Sequence, residues 1–250
     1  MALWKKLKKR SNSIRTKSID LWKKLKIRRC CFQPQRSYDH IISLGYNCEI
    51  SFQFFHLYRF LESNLFAWTY SYSLQDTIYA LQHLDKVGTN GFLLANSFFQ
   101  CVNTKICFHG KDDPHMSLEE LKAELTGRIE YLKNKWLRIC STKDQSILFI
   151  VKVRIQSIEQ NVEEIKQLYQ TLKQMTAAPF DLLVVCGKLT TLPDFKHPHI
   201  FVRQVKHFAP DDDVPSKRLA AMKDWEHIFF EFGPKHYLEH IKHFKFEKLA

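Results

Sequence analysis

Seven cysteines and twelve histidines give this chain ample material for thiol chemistry, and one stretch concentrates it. "IISLGYNCEISF", residues 41–52, begins as a short apolar run and breaks at Gly45. Three residues later it presents Cys48, where a helical pattern starts. A thiol at the start of a helix, just after a tight glycine turn, has backbone N–H groups and the positive end of the helix dipole beside it. That setting can bring a thiol pKa from about 8.5 into the range of about 3.5–7.5, and it supplies donors for an oxyanion. Glu49, the next residue, opposes thiolate formation unless it points away. Read without that setting, Cys48 is a small buried structural thiol.

A cysteine nucleophile needs a base, normally histidine, and a group to orient it. His109 closes an expected strand and is followed by Asp112 and Asp113. His227 stands in "DWEH", three residues after Asp224. On a helix this second pair shares a face, as in hydrolases of the SGNH type. It would serve an ester hydrolase or acyltransferase acting on envelope glycans, with Cys48 or a serine as nucleophile. The bland alternatives are a polar strand end at His109 and two ordinary helix-surface residues at Asp224 and His227.

Cys101, Cys107, His109 and His115 give C-x5-C-x-H-x5-H, which lacks the tight pairs of common zinc sites. His236, His240 and His243 share one helical face and read as a solvated stripe. No metal site and no cofactor are expected. The chain has no Gly-rich phosphate loop, which argues against a nucleotide-dependent enzyme.

The elements that must position these residues follow from periodicity. "YDHIISLG" (38–45) reads as a strand running into a turn, with a helix from about Glu49 to Glu62 and a short one near 75–86. Residues 64–75 are aromatic and irregular, and a strand ends near His109. "MSLEELKAELTGRIEYLKNKWLRI" (116–139) has Ser117 at its N-cap and Glu120 three residues on, the capping-box spacing. "SILFIVKV" (146–153) and "FDLLVVCG" (180–187) are continuously apolar, as strands buried on both faces are. A Ser-capped helix is expected over 157–175, a half-buried strand over 199–208, and helices over 216–232 and 235–244. Apolar strands alternating with amphipathic helices predict an α/β layered domain over 38–250, with a largely parallel central sheet flanked by helices. Sites in such sheets lie outside the carboxyl ends of the strands. Cys48, His109 and the loop after Val153 are expected there.

The charge is local. Residues 1–36 carry 13 of the 38 Lys and Arg against one acid, Asp20, so the whole net charge of +12 lies in this segment and the body is neutral. "LWKKLK" occurs at 3–8 and again at 21–26, an offset of 18 residues, which is five helical turns. Trp4 and Trp22 fall with the leucines on one face, with Lys5, Lys6, Lys23 and Lys24 beside it. That pattern predicts a basic amphipathic helix lying on an anionic membrane surface through residues 1–29, and it fits a bilayer better than nucleic acid. A solvated basic tail is the bland alternative. Residues 30–37 read as a linker, so 1–37 form tail and linker. An odd cysteine count with no apolar signal core predicts free thiols in a reducing compartment, at the inner, cytoplasmic face of the membrane.

"YDHIISLGYNCEISFQF" followed by "LFAW" resembles the opening of an uncharacterised bacterial family described as papain-like cysteine peptidases. Its members show an SLG-x-x-C signature and then an "FDW" motif. A His-containing segment follows, then an Arg-bearing helix and a strand of the "iLFIR" kind. The corresponding residues here are Ser43, Leu44, Gly45, Asn47 and Cys48; Phe66 and Trp68; His109 in "FHGKD"; the helix with Arg128; and "ILFIVKV". The order holds over residues 38–186. The resemblance implies a peptidase or amidase with Cys48 as nucleophile and His109 as base, and a pocket of Ser43, Gly45, Asn47, Trp68 and Arg128. Ala67 stands where the family has Asp. Either Asp112 or Asp113 takes that part, or the chemistry is lost and a membrane-surface binding module remains.

Overall fold

The computed structural model describes residues 34–58, 62–95, 98–110, 115–153, 161–187, 195–208 and 215–235. The expected N-terminal amphipathic helix, with Trp4, Lys5, Lys6, Trp22, Lys23 and Lys24, lies outside them, as do Asp112, Asp113 and the histidine stripe at 236–243.

In chain order the elements are β1 (Arg36–Tyr38), β2 (His40–Ser43), α1 (Glu49–Tyr58), β3 (Thr69–Tyr70), α2 (Leu74–Gln82), β4 (Phe92–Ala95), β5 (Phe98–Cys101), β6 (Cys107–His109), α3 (Leu118–Ser141), β7 (Ile147–Val153), α4 (Val162–Met175), β8 (Phe180–Cys186), β9 (Ile200–Gln204), α5 (Pro215–Glu231) and β10 (Phe232–Pro234). The fold is mixed α/β with a four-stranded sheet in the order β2-β7-β8-β9, parallel throughout. β7 is buried at every position, because both of its faces are covered.

The two faces separate by residue parity. Phe149 and Val151 join Ile42, Leu182 and Val184 in a core closed by Trp136 of α3 and Leu168 of α4. Leu148 and Ile150 join Leu183 and Val185 in a second core, closed by Phe54 of α1 and by Trp225 and Phe229 of α5. The layered arrangement expected from the sequence is therefore present, with helices on both faces of a parallel sheet.

A second sheet departs from that expectation. β3, β6, β5 and β4 form a four-stranded antiparallel sheet whose Phe92, Phe99 and Phe108 pack into the first core. Its strands span only two to four residues, too few for alternation to register. His109 therefore ends an antiparallel strand and not, as expected, one of the parallel sheet. Residues 36 and 37, expected as linker, belong to β1, which pairs in parallel with β10.

The helix starts differ in quality. Ser117 and Glu120 form the full capping box of α3, each side chain accepting the other's backbone N–H. The predicted Ser157 cap lies outside the described residues, and α4 begins at Val162 after Asn161 with no side-chain cap. α1 starts at Glu49 as expected and is described to Tyr58, and residues 59–61 lie outside the described residues.

Candidate active site

The site starts at the end of β2. The Leu44 amide still donates to the Ile150 carbonyl at 2.9 Å, extending the parallel ladder. The chain then turns through two left-handed residues, Gly45 at φ +87° and Tyr46 at φ +78°. Glycine is required at the first: a Cβ there would lie 2.8 Å from Thr69 Oγ1. A side-chain-bearing residue at the second costs about 1–2 kcal/mol of backbone strain. Ser43 is buried, and its hydroxyl accepts the Gly45 amide at 3.4 Å. Asn47 Oδ1 accepts the Glu49 amide at 3.1 Å. The Cys48 carbonyl takes the first helical bond, from Phe52 at 2.9 Å. Ser43, Gly45 and Asn47 thus build the turn that delivers Cys48 to the N-terminus of α1.

His109 arrives from the other sheet. β6 lies between β3 and β5, with Thr69 opposite Phe108 and Phe98 opposite His109. The ladder brings the imidazole to the thiol: Cys48 Sγ and His109 Nε2 are 3.7 Å apart, within reach of a sulfur hydrogen bond. The ring packs on Phe98 at 4.5 Å between centroids. Arg128, from α3, donates through Nη2 to the His109 carbonyl. Burial, and then the positive charge of Arg128, hold the His109 pKa below its ordinary value, which keeps the ring neutral as a base must be.

Cys48 also differs from the other described cysteines in access. It is half-buried, whereas Cys101, Cys107, Cys140 and Cys186 are buried. Burial pushes the thiols of Cys140 and Cys186 up to about 11 and raises that of Cys107.

The Glu49 carboxylate is buried in an ion pair. It meets Lys152 Nζ at 2.5 Å and accepts the Trp225 indole N–H at 3.0 Å. The two charged side chains are only 2% and 5% exposed. The Lys152 ammonium also lies 4.2 Å from the Phe208 ring centroid and 5.5 Å from that of Tyr46. Sequence reasoning missed Lys152. The signal was a lysine inside an otherwise apolar strand, a position that needs a buried anion to be tolerated.

The remaining candidates fall elsewhere. Ala67 is fully buried and its carbonyl accepts the Ser51 hydroxyl at 2.6 Å, a backbone role independent of its side chain. Trp68 stands beside Phe52, ring edge to ring face, at 4.9 Å. Among the described residues, no carboxylate reaches the His109 ring. Asp224 and His227 are not brought together as a pair: Asp224 accepts the backbone amides of Lys206 and His207, and His227 is exposed. Of the four residues in the zinc-like spacing, Cys101 bonds to the backbone of Lys86 and Gly88, Cys107 lies against the Tyr72 hydroxyl, and His115 is exposed. No set of three metal-capable side chains occurs among the described residues. Compared with known proteins, the chain matches no family model, no curated protein and no solved structure.

Two outcomes test this geometry. Lys152→Met should cost about 3–5 kcal/mol in urea unfolding, because it strips the ammonium from a buried carboxylate, and adding Glu49→Gln should recover most of the loss. The second concerns pH. A histidine held below its ordinary value adds stability above about pH 6.5 that is lost as pH falls through its folded-state value. The acid limb of Cys48 alkylation should therefore lie below about pH 6.5 and move upward in Arg128→Gln, read by mass spectrometry.

Proposed function

We propose that this protein is a cysteine-dependent acyl hydrolase of the peptidase or amidase kind, with Cys48 as nucleophile and His109 as general base. The observation that carries the reading is the 3.7 Å approach of a half-buried thiol at a helix N-terminus to an imidazole 61 residues away in sequence. The resemblance to the bacterial papain-like family, with its SLG-x-x-C signature, supports the same assignment.

Neutral His109 takes the Cys48 proton as Sγ attacks the acyl carbon. The oxyanion faces the backbone amides at the start of α1. The imidazolium then passes that proton to the leaving nitrogen or oxygen as its bond to the acyl carbon breaks, which leaves a thioester. Water adds to the thioester as His109 accepts its proton. The tetrahedral adduct collapses, the proton returns to Sγ, and the acid is released.

The amphipathic pattern of residues 1–29 supports a second part of the proposal, docking of the enzyme on an anionic membrane surface at the cytoplasmic side. Among the described residues, no helix is long and apolar enough to cross a membrane. Ala67, in the place of the family's Asp, favours the rival reading of a membrane-docked binding module that has lost the chemistry.

The deciding experiment is the rate of iodoacetamide labelling at each cysteine, in wild type and in His109→Ala. Cys48 should react fastest at pH 6, and the substitution should slow it by about a hundredfold. A Cys48 no faster than the buried Cys140 or Cys186 would leave the binding module as the surviving reading. Docking is tested by sedimentation with vesicles. The full chain should bind vesicles containing phosphatidylglycerol, release in high salt, and lose binding in the Trp4→Ala, Trp22→Ala double variant. Equal binding to purely zwitterionic vesicles would sink the electrostatic part.

A further inference from the structure

α1 divides its aromatic residues between two environments. Ile50, Phe54 and Leu57 enter the core at 1%, 3% and 7% exposure, but Phe52 is 38% exposed. Phe52 stands one helical turn after Cys48, and the two are linked by the first backbone bond of the helix. Helical side chains lean toward the N-terminus, the end of α1 that carries Cys48, and the Phe52 ring also lies 6.5 Å from that of His56.

Trp68 completes a corner from the other side. The antiparallel register places Thr69 opposite Phe108 and Tyr70 opposite Cys107. The next residues beyond the Thr69–Phe108 pair are Trp68, in the turn before β3, and His109. Trp68 is half-buried and meets Phe52 edge to face at 4.9 Å. The corner therefore takes one wall from the segment that holds the nucleophile and the other from the segment beside the base. A partly exposed pair of large rings, on the segments that follow Cys48 and flank β6 and not turned into the core, is where an apolar ligand group gains most from leaving water.

We infer that Phe52 and Trp68 form a binding subsite that selects substrates carrying an aromatic or bulky aliphatic group next to the acyl carbon that Cys48 attacks. This rests on the cysteine–histidine reading above and deepens it. The nearby Arg128 guanidinium offers the opposite selectivity, for a carboxylate, so the two can be told apart.

The test uses three alkylating probes of shared chemistry on the full chain: iodoacetamide, N-benzyl iodoacetamide and iodoacetate. In each case a bond forms from Sγ to the probe's CH2 carbon, iodide leaves, and the thiol proton passes to His109. Rates at Cys48 are read by mass spectrometry, each divided by the same reagent's rate with glutathione. The benzyl probe should saturate and react about tenfold faster than iodoacetamide at low concentration. Phe52→Ala and Trp68→Ala should each remove most of that advantage, read as the ratio of the benzyl-probe rate to the iodoacetamide rate within the same variant. Phe52→Trp should retain the advantage, as should Leu137→Ala, a change at an exposed apolar residue more than two helical turns beyond Arg128 on α3. Equal rates for the benzyl probe and iodoacetamide would overturn the subsite but leave the dyad standing. Preference for iodoacetate would overturn it in favour of Arg128. A Cys48 inert to all three would remove the dyad, and the subsite with it.

Discussion

A carboxylate and an ammonium withdrawn from water together cost several kcal/mol each unless their geometry repays it. In this fold that constraint falls on Glu49 and Lys152, and much of the site's geometry follows from how it is met. The pair ties the first residue of α1 to the penultimate residue of β7, and the Trp225 indole joins α5 to the same carboxylate. Two helices that close one face of the sheet and the strand beneath them are thereby held at one point, at the residue after Cys48. The carboxylate that follows Cys48 in the chain is thereby paired with an ammonium and an indole N–H.

The parallel sheet and its helices were legible in the sequence because β7 and β8 are covered on both faces and so carry unbroken apolar runs. α3 was legible from its capping box. The antiparallel sheet was not, since strands of two to four residues hold no measurable period. Its register nonetheless decides where His109 goes. The thiol could be picked out from the glycine turn before it, and the histidine from its place at a strand end. That the two meet depends on β6 being sandwiched between β3 and β5, a long-range pairing that local pattern does not encode. Lys152 escaped for the same reason, its partner being 103 residues away.

Asp224 and His227 show the converse. Their spacing puts them on neighbouring positions of one helix, yet the carboxylate is spent on the amides of residues 206 and 207, where it steadies the loop after β9. Proximity along a helix says which groups are able to meet, and competition from backbone donors decides whether they do. The same competition explains the turn at Cys48, where Ser43 and Asn47 bind the amides of Gly45 and Glu49 and so act on the backbone before any substrate arrives.

The placement of β2 has a kinetic consequence. Its neighbour β7 begins at Ile147, opposite His40, so joining the two strands closes a loop of more than a hundred residues that contains Cys48, His109 and Arg128. β7, α4 and β8 are consecutive and pair with far less intervening chain, which favours their folding first. The edge strand docks onto that unit afterwards and brings the Cys48 turn to its place in the fold. During synthesis that turn is therefore fixed only after the chain has grown past β7, long after the cysteine itself has been made.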